Sequence, residues 1–185
     1  VAAFTYDAVR ARTDLNQFRI LHFATHGLVT PPRPGCPARP ALVTSFAADS
    51  PTSHGLLQFG EIFDLRLNAD LVILSACDTA GVAGAEATRE TGLASGGGTF
   101  DGLVRAFIGA GSRSVIASHW PAPEAYHATE RLIAGMFDSG GDRPIGEALR
   151  QAQVRLMDDA DTSHPFYWAG FAIVGDGARP LIAER

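Results

Sequence analysis

The sequence predicts an α/β layered fold built on a mostly parallel central sheet with helices on both faces. Three observations carry this. Apolar β-branched runs at 18–25, 71–77 and 114–118 alternate with stretches of helical periodicity, the order expected when helices cover a sheet. The run Leu71-Val72-Ile73-Leu74 has no polar residue in its interior, as a strand buried on both faces requires. Two of the runs end abruptly at a chemically reactive side chain, His26 and Cys77. Ligands of open α/β sheets bind beyond the carboxyl ends of the strands. If the two strands are parallel neighbours, His26 and Cys77 meet at one rim.

The elements follow in chain order. Residues 2–12 read as a short helix, and 18–25 as the first strand. Residues 28–56 read as a long loop punctuated by Pro31, Pro32, Pro34, Pro37, Pro40 and Pro51, with strand character only in Ala41 to Phe46. A loop of that length in a compact domain is commonly functional. Leu57 to Leu65 reads as a short helix that leads into the Cys77 strand. Residues 80–99 are small and Gly-rich, a composition that predicts mobility. Asp101 reads as the N-cap of a helix that buries Leu103, Ala106, Phe107 and Ala110. Ser114 to Ser118 is the third strand, halted by Pro121 and Pro123. Glu124 to Phe137 shows helical spacing of Ala125, Thr129, Leu132, Ile133 and Met136. Pro144 opens a further helix with Ile145, Ala148, Leu149, Ala152 and Leu156 inward, and Tyr167 to Val174 supplies the last strand.

At 185 residues the chain is most simply one domain, residues 1–185, with enough length for a core without staples. Its net charge of −5 gives no reason to expect nucleic acid or an anionic membrane as partner. No apolar run approaches the length of a membrane span, and no signal peptide precedes the first strand. All 15 basic residues are arginine, read as codon bias of a GC-rich, bacterial genome. Cys36 lies in the Pro-rich loop and Cys77 at a strand end, a pattern unlike a disulfide scaffold, so a cytoplasmic setting is expected. The first residue is Val1 rather than Met, and the chain reads as a fragment of a longer protein.

Chemistry concentrates at His26 and Cys77. A cysteine nucleophile must be ionisable, reachable and near a proton-transfer group. Gly27, straight after the histidine, lets the backbone approach a substrate, and its N–H together with that of Cys77 suits an oxyanion. The plain alternative is a buried cysteine and a loop histidine. His22 and His26 share a strand face, but no cysteine or carboxylate joins them at metal-ligand spacing, so no metal is expected and His22 reads as a hydrogen-bonded core histidine. Gly96-Gly97-Gly98 lacks both the dinucleotide and the phosphate-loop pattern; no organic cofactor is implied. Trp120 and Trp168, each beside a strand end, read as packing residues, and His54 and His164 as solvated loop residues.

Four segments resemble successive motifs of one family: Ile20-Leu21-His22-Phe23-Ala24-Thr25-His26-Gly27; Asn68 through Thr79, centred on Leu74-Ser75-Ala76-Cys77-Asp78; Ser114-Val115-Ile116-Ala117-Ser118-His119-Trp120-Pro121; and His164-Pro165-Phe166-Tyr167-Trp168-Ala169-Gly170-Phe171. In order and extent they resemble the CHAT domain, the caspase-like peptidase domain often attached to tetratricopeptide repeats. The resemblance implies a caspase–haemoglobinase fold. It makes His26 the catalytic histidine, Cys77 the nucleophile, and the Gly27 and Cys77 amides the oxyanion donors. It implies a protein or peptide substrate, with flanking tetratricopeptide repeats or a regulatory partner. It also implies strands upstream of Val1.

The family commonly follows Ser-Leu-Trp-Pro with an acidic pair, whereas this chain reads Ser118-His119-Trp120-Pro121-Ala122-Pro123-Glu124. The residue two before the nucleophile is the neutral Ser75, where caspases carry Gln and metacaspases Asp. Asp78 and Glu124 are the acids expected beside the site. The expectation is therefore a cysteine endopeptidase that prefers a basic or uncharged residue before the scissile bond. A non-cutting interaction module and a cysteine-dependent hydrolase or transferase of small molecules are the competing classes.

Overall fold

The computed structural model describes residues 4–29, 40–46, 54–75, 99–138 and 140–182. The chain opens with helix α1 (Tyr6–Arg10), whose first turn is capped by the Thr5 hydroxyl accepting from the Ala8 N–H. Strands β1 (Ile20–Phe23), β2 (Gly27–Val29), β3 (Pro40–Val43) and β4 (Leu56–Gln58) follow, then α2 (Phe59–Phe63) and β5 (Leu71–Leu74). The remainder comprises α3 (Thr99–Gly109), β6 (Ser114–Ser118), α4 (Ala128–Phe137), α5 (Ile145–Met157) and β7 (Phe171–Gly175).

Strands β1, β5, β6 and β7 form a four-stranded sheet in the order β1-β5-β6-β7. The β1–β5 and β5–β6 pairs are parallel and the β6–β7 pair is antiparallel. The expected mostly parallel sheet is therefore present, with an antiparallel strand at one edge.

Side chains alternate across this sheet, as the two-residue period of a strand demands. Val72, Leu74, Val115 and Ala117 enter one core with Ile62 of α2 and Leu103, Ala106 and Phe107 of α3. Leu71, Ile73 and Ile116 enter a second core with Leu132 and Met136 of α4 and Ile145, Leu149 and Leu156 of α5. Helices thus cover both faces. This accounts for the unbroken apolar run: every residue of β5 and β6 is buried, and each buried Val, Leu or Ile among them contributes about 1.5–3 kcal/mol.

Several elements depart from the sequence reading. The stretch 28–56 contains a second sheet, antiparallel, in the order β2-β3-β4. Three or four residues per strand are too few to show a period, and Gly27 and Pro40 disguise the strand ends. The expected 57–65 helix is divided between β4 and α2, with a capping box in which the Gln58 N–H donates to Glu61 Oε2 at 2.8 Å. Asp101 lies inside α3, so it is not the N-cap. Its four predicted core residues, Leu103, Ala106, Phe107 and Ala110, are all buried. The expected helix from Glu124 is broken: Ala125–His127 forms a separate 3-10 turn, and Tyr126 and His127 take φ of 56° and 53°. Ala125 is exposed rather than inward. Residues 80–98 of the Gly-rich stretch and both cysteines fall outside the described residues.

One glycine is required by space. After α3 the chain turns at Gly111 with φ of +111°, and a Cβ there would lie 2.3 Å from the Leu67 carbonyl oxygen.

The amino end of the sheet is held by a buried carboxylate. Asp70, one residue before β5, has a side chain only 6% exposed. Arg19 donates to Oδ2 from Nε at 2.6 Å. Arg179 and Arg113 approach Oδ1 at 3.2 and 3.5 Å. The Ser114 hydroxyl donates to the Asp70 carbonyl. Three chain segments thus converge on one charge beside β1, β5, β6 and β7. Removing the charge leaves partly buried guanidiniums uncompensated, so Asp70→Ala is expected to destabilise the fold by about 3 kcal/mol, measured as a fall in the urea midpoint. An unchanged midpoint would show the cluster to be energetically neutral.

Candidate active site

The rim in question lies at the carboxyl ends of β1 and β5. Their register pairs Phe23 with Leu74, and the ladder continues for one bond, from the Ser75 N–H to the Phe23 oxygen at 3.0 Å. His26 is the third residue after Phe23 and Cys77 the third after Leu74. Cys77 and Asp78 themselves lie outside the described residues.

His26 is held between the two sheets. The chain leaves β1, turns through Ala24 and Thr25, and enters β2 at Gly27. The Thr25 hydroxyl donates to the Val43 oxygen at 2.6 Å, and the Val43 N–H donates to the His26 oxygen at 2.8 Å. The main chain of the histidine is therefore fixed by β3, while its side chain is exposed. Gly27 is buried and faces Leu42 across the ladder. Antiparallel ladders alternate bonded and non-bonded pairs. With His26 bonded to Val43, the Gly27 N–H turns away from β3.

His22 departs from expectation. It is exposed rather than a core residue, and its Nε2 lies 2.8 Å from the Ser75 hydroxyl. Register explains the contact. His22 pairs with Ile73, so Ser75, two residues on, returns to the same face at the strand end. Both residues are visible in the sequence, but their separation of 53 positions hides the bond. Desolvation of the imidazole lowers the His22 pKa below its ordinary 6.5.

Glu124 lies on the exposed segment after β6 and lines a cavity of about 240 Å³ together with Ser75, Pro123, His127, Thr129 and Glu130. The sequence placed Ser75 and Glu124 near the site, and the fold brings them to one cavity. Glu130 and His127, which pair at 3.2 Å, carry no local sequence signal of a site. Only the broken helix start turns them to this wall. The Thr129 hydroxyl donates to the Pro123 oxygen and secures the turn. Two successive non-glycine residues in left-handed conformation cost about 1–2 kcal/mol each. Such outliers persist where surrounding structure imposes them.

Beside the cavity, two of the quoted motifs join. The His119 N–H donates to the Gly170 oxygen at 2.8 Å, and Trp120 Nε1 donates to the Phe166 oxygen at 3.0 Å. A Cβ at Gly170 would lie 2.8 Å from the Trp120 indole. Trp120 and Trp168 are half-buried packing residues, each with its indole N–H on a backbone oxygen. His54 and His164 are exposed but partnered: His54 reaches Glu61 at 3.4 Å, and His164 accepts from the Phe166 N–H. Among the described residues no cluster of three or more His, Cys, Asp or Glu side chains is arranged to hold a metal, and no helix is long and apolar enough to cross a membrane.

A mostly parallel sheet covered by helices on both faces defines a layered α/β protein. The chain belongs to the CHAT domain family, whose family model matches residues 1–176. It is also similar to Tetratricopeptide repeat protein 28 of Mus musculus, 28% identical over 205 residues, a match that covers 92% of this chain and 8% of that protein. The Homo sapiens protein of the same name is 27% identical over 202 residues, with the same coverage. The chain thus corresponds to about 8% of the length of these relatives.

The lowered pKa of His22 has a consequence for stability. The unfolded chain takes up a proton near pH 6.5 while the folded chain resists it, so this residue's contribution to stability falls as pH drops below 6.5 towards the folded pKa. Thermal unfolding followed from pH 7.5 to 5 should show a steeper loss in the wild type than in His22→Gln. Parallel curves would remove His22 as the source.

Proposed function

We propose that this chain is a cysteine endopeptidase with Cys77 as nucleophile and His26 as proton-transfer group. The observation that supports the reading is the register of β1 and β5, which pairs Phe23 with Leu74, the strand ends that precede His26 and Cys77 in the sequence. In the reaction the Cys77 sulfur attacks the scissile carbonyl, and the oxyanion is received by the Gly27 and Cys77 amides. His26 protonates the departing amine as the C–N bond breaks, leaving a thioester. Water, deprotonated by His26, attacks the thioester and releases the acid and the thiol. The outward turn of the Gly27 N–H supports its role in this scheme. No metal or organic cofactor enters it.

The cavity next to Ser75 supports a preference for a basic or uncharged side chain before the scissile bond. It offers the carboxylates of Glu124 and Glu130, with Asp78 directly after the nucleophile in sequence. Among the described lining residues no arginine is present to receive an aspartate, and an unpaired carboxylate is costly to desolvate. The names of the two relatives mention tetratricopeptide repeats. Their shared feature favours a second reading, an interaction module that works alongside such repeats.

Labelling separates the two. A peptide-based electrophile should modify Cys77 in the wild type and nothing in Cys77→Ala. Modification by small thiol reagents alone would favour small-molecule chemistry, and an inert Cys77 would favour the module. On a fluorogenic peptide panel, Glu124→Gln should reduce kcat/KM for arginine substrates by about 10-fold, the scale of about 1.4 kcal/mol, with little effect on neutral ones. Selective cleavage after aspartate would contradict the charge argument.

A further inference from the structure

The turn that carries His26 spans only Ala24 to His26 between two strands, and the segment ahead of α1 touches its entering arm and the chain just beyond β3, the strand that holds the turn. On the entering side, the Phe4 ring packs against Phe23, the last residue of β1, with centroids 6.2 Å apart. Phe23 is itself buried against Phe107 of α3 at 5.0 Å. On the leaving side, the Ser45 N–H donates to the Phe4 oxygen at 2.7 Å, and Thr5 pairs with Ser45 as a parallel bridge. Ser45 follows Val43 by two residues, and Val43 is the residue that holds both Thr25 and His26. Thr5 is buried, and its hydroxyl caps α1. The brace is therefore anchored at its own end as well.

We infer that Phe4 and Thr5 are positioning residues for His26, bracing its turn from both sides without touching substrate. The inference rests on the peptidase reading only for the consequence it has on rate; the brace itself is a statement about where the histidine sits. Val43 lies in the middle strand of the small sheet, bonded to the His26 main chain on one side and paired with Leu56 on the other. A shift of Ser45 is transmitted along β3 because neither ladder permits Val43 to yield alone. Loss of the Phe4 ring also opens space against Phe23, where the turn begins. Both effects move the imidazole relative to the neighbouring strand end. They leave the Glu124 cavity on the segment after β6 untouched.

The test uses Phe4→Ala in the intact protein, with Phe4→Leu as the conservative replacement and Leu149→Ala, in the second core, as a control for stability loss. The imidazole signal of His26, assigned by its disappearance in His26→Gln, should shift in Phe4→Ala, return towards its original position in Phe4→Leu, and stay in place in Leu149→Ala. In peptide hydrolysis Phe4→Ala should lower kcat by about 10- to 100-fold, the effect of a displacement near 1 Å. KM should stay within about two-fold, since binding groups are unmoved. A His26 signal unaffected by Phe4→Ala overturns the inference, and so does an equal kcat loss in Leu149→Ala at matched stability. A wild type that neither cleaves peptide nor reacts at Cys77 removes the peptidase reading, and the His26 signal then decides the brace alone.

Discussion

Burial of β5 on both faces is the constraint on which the rest of the structure depends. Leu71 and Ile73 need apolar partners on one side, Val72 and Leu74 on the other. No arrangement with helices on a single face supplies both. α2 and α3 therefore close one face, and α4 and α5 the other. Central placement between β1 and β6 follows, because a strand so covered has no backbone edge that water can reach. The same placement puts the carboxyl end of β5 in the middle of the rim, where neighbouring strands deliver residues from both sides.

The two ends of that strand are used differently. At the amino end, Asp70 gathers Arg19, Arg113 and Arg179 around a buried charge and closes the sheet against solvent. At the carboxyl end no such cluster lies among the described residues. Ser75 meets His22, and a cavity opens towards Glu124 and Glu130.

The small antiparallel sheet gives the histidine turn its definition. A turn leaving an edge strand is ordinarily free on one side, yet here β2 begins one residue after His26, and His26 itself is bonded to Val43 of β3. A region rich in proline thus contributes an ordered element beside the rim. The strained Tyr126–His127 turn has a parallel role on the far side. Its left-handed backbone orients His127 and the start of α4 towards the cavity, and Tyr126 is held edge-on against Tyr167 at 5.7 Å.

The sequence by itself determined the layered class, the β5 and β6 strands, the inward faces of α3 and α5, and the pairing of His26 with Cys77 as candidates. These features are written in local periodicity and in where apolar runs stop, and local pattern is legible without knowing what packs opposite. Tertiary structure alone decided the rest. Of the second sheet only β3 shows strand character in the sequence; β2 and β4 are too short to display a period and are recognised only by their partners. The His22–Ser75 bond joins residues 53 positions apart and depends on register. The turn at Tyr126 and His127 violates the local preference of both residues, so only the surrounding contacts impose it. The convergence of three arginines on Asp70 depends on long side chains whose reach crosses strand ends, and no spacing along the chain encodes that.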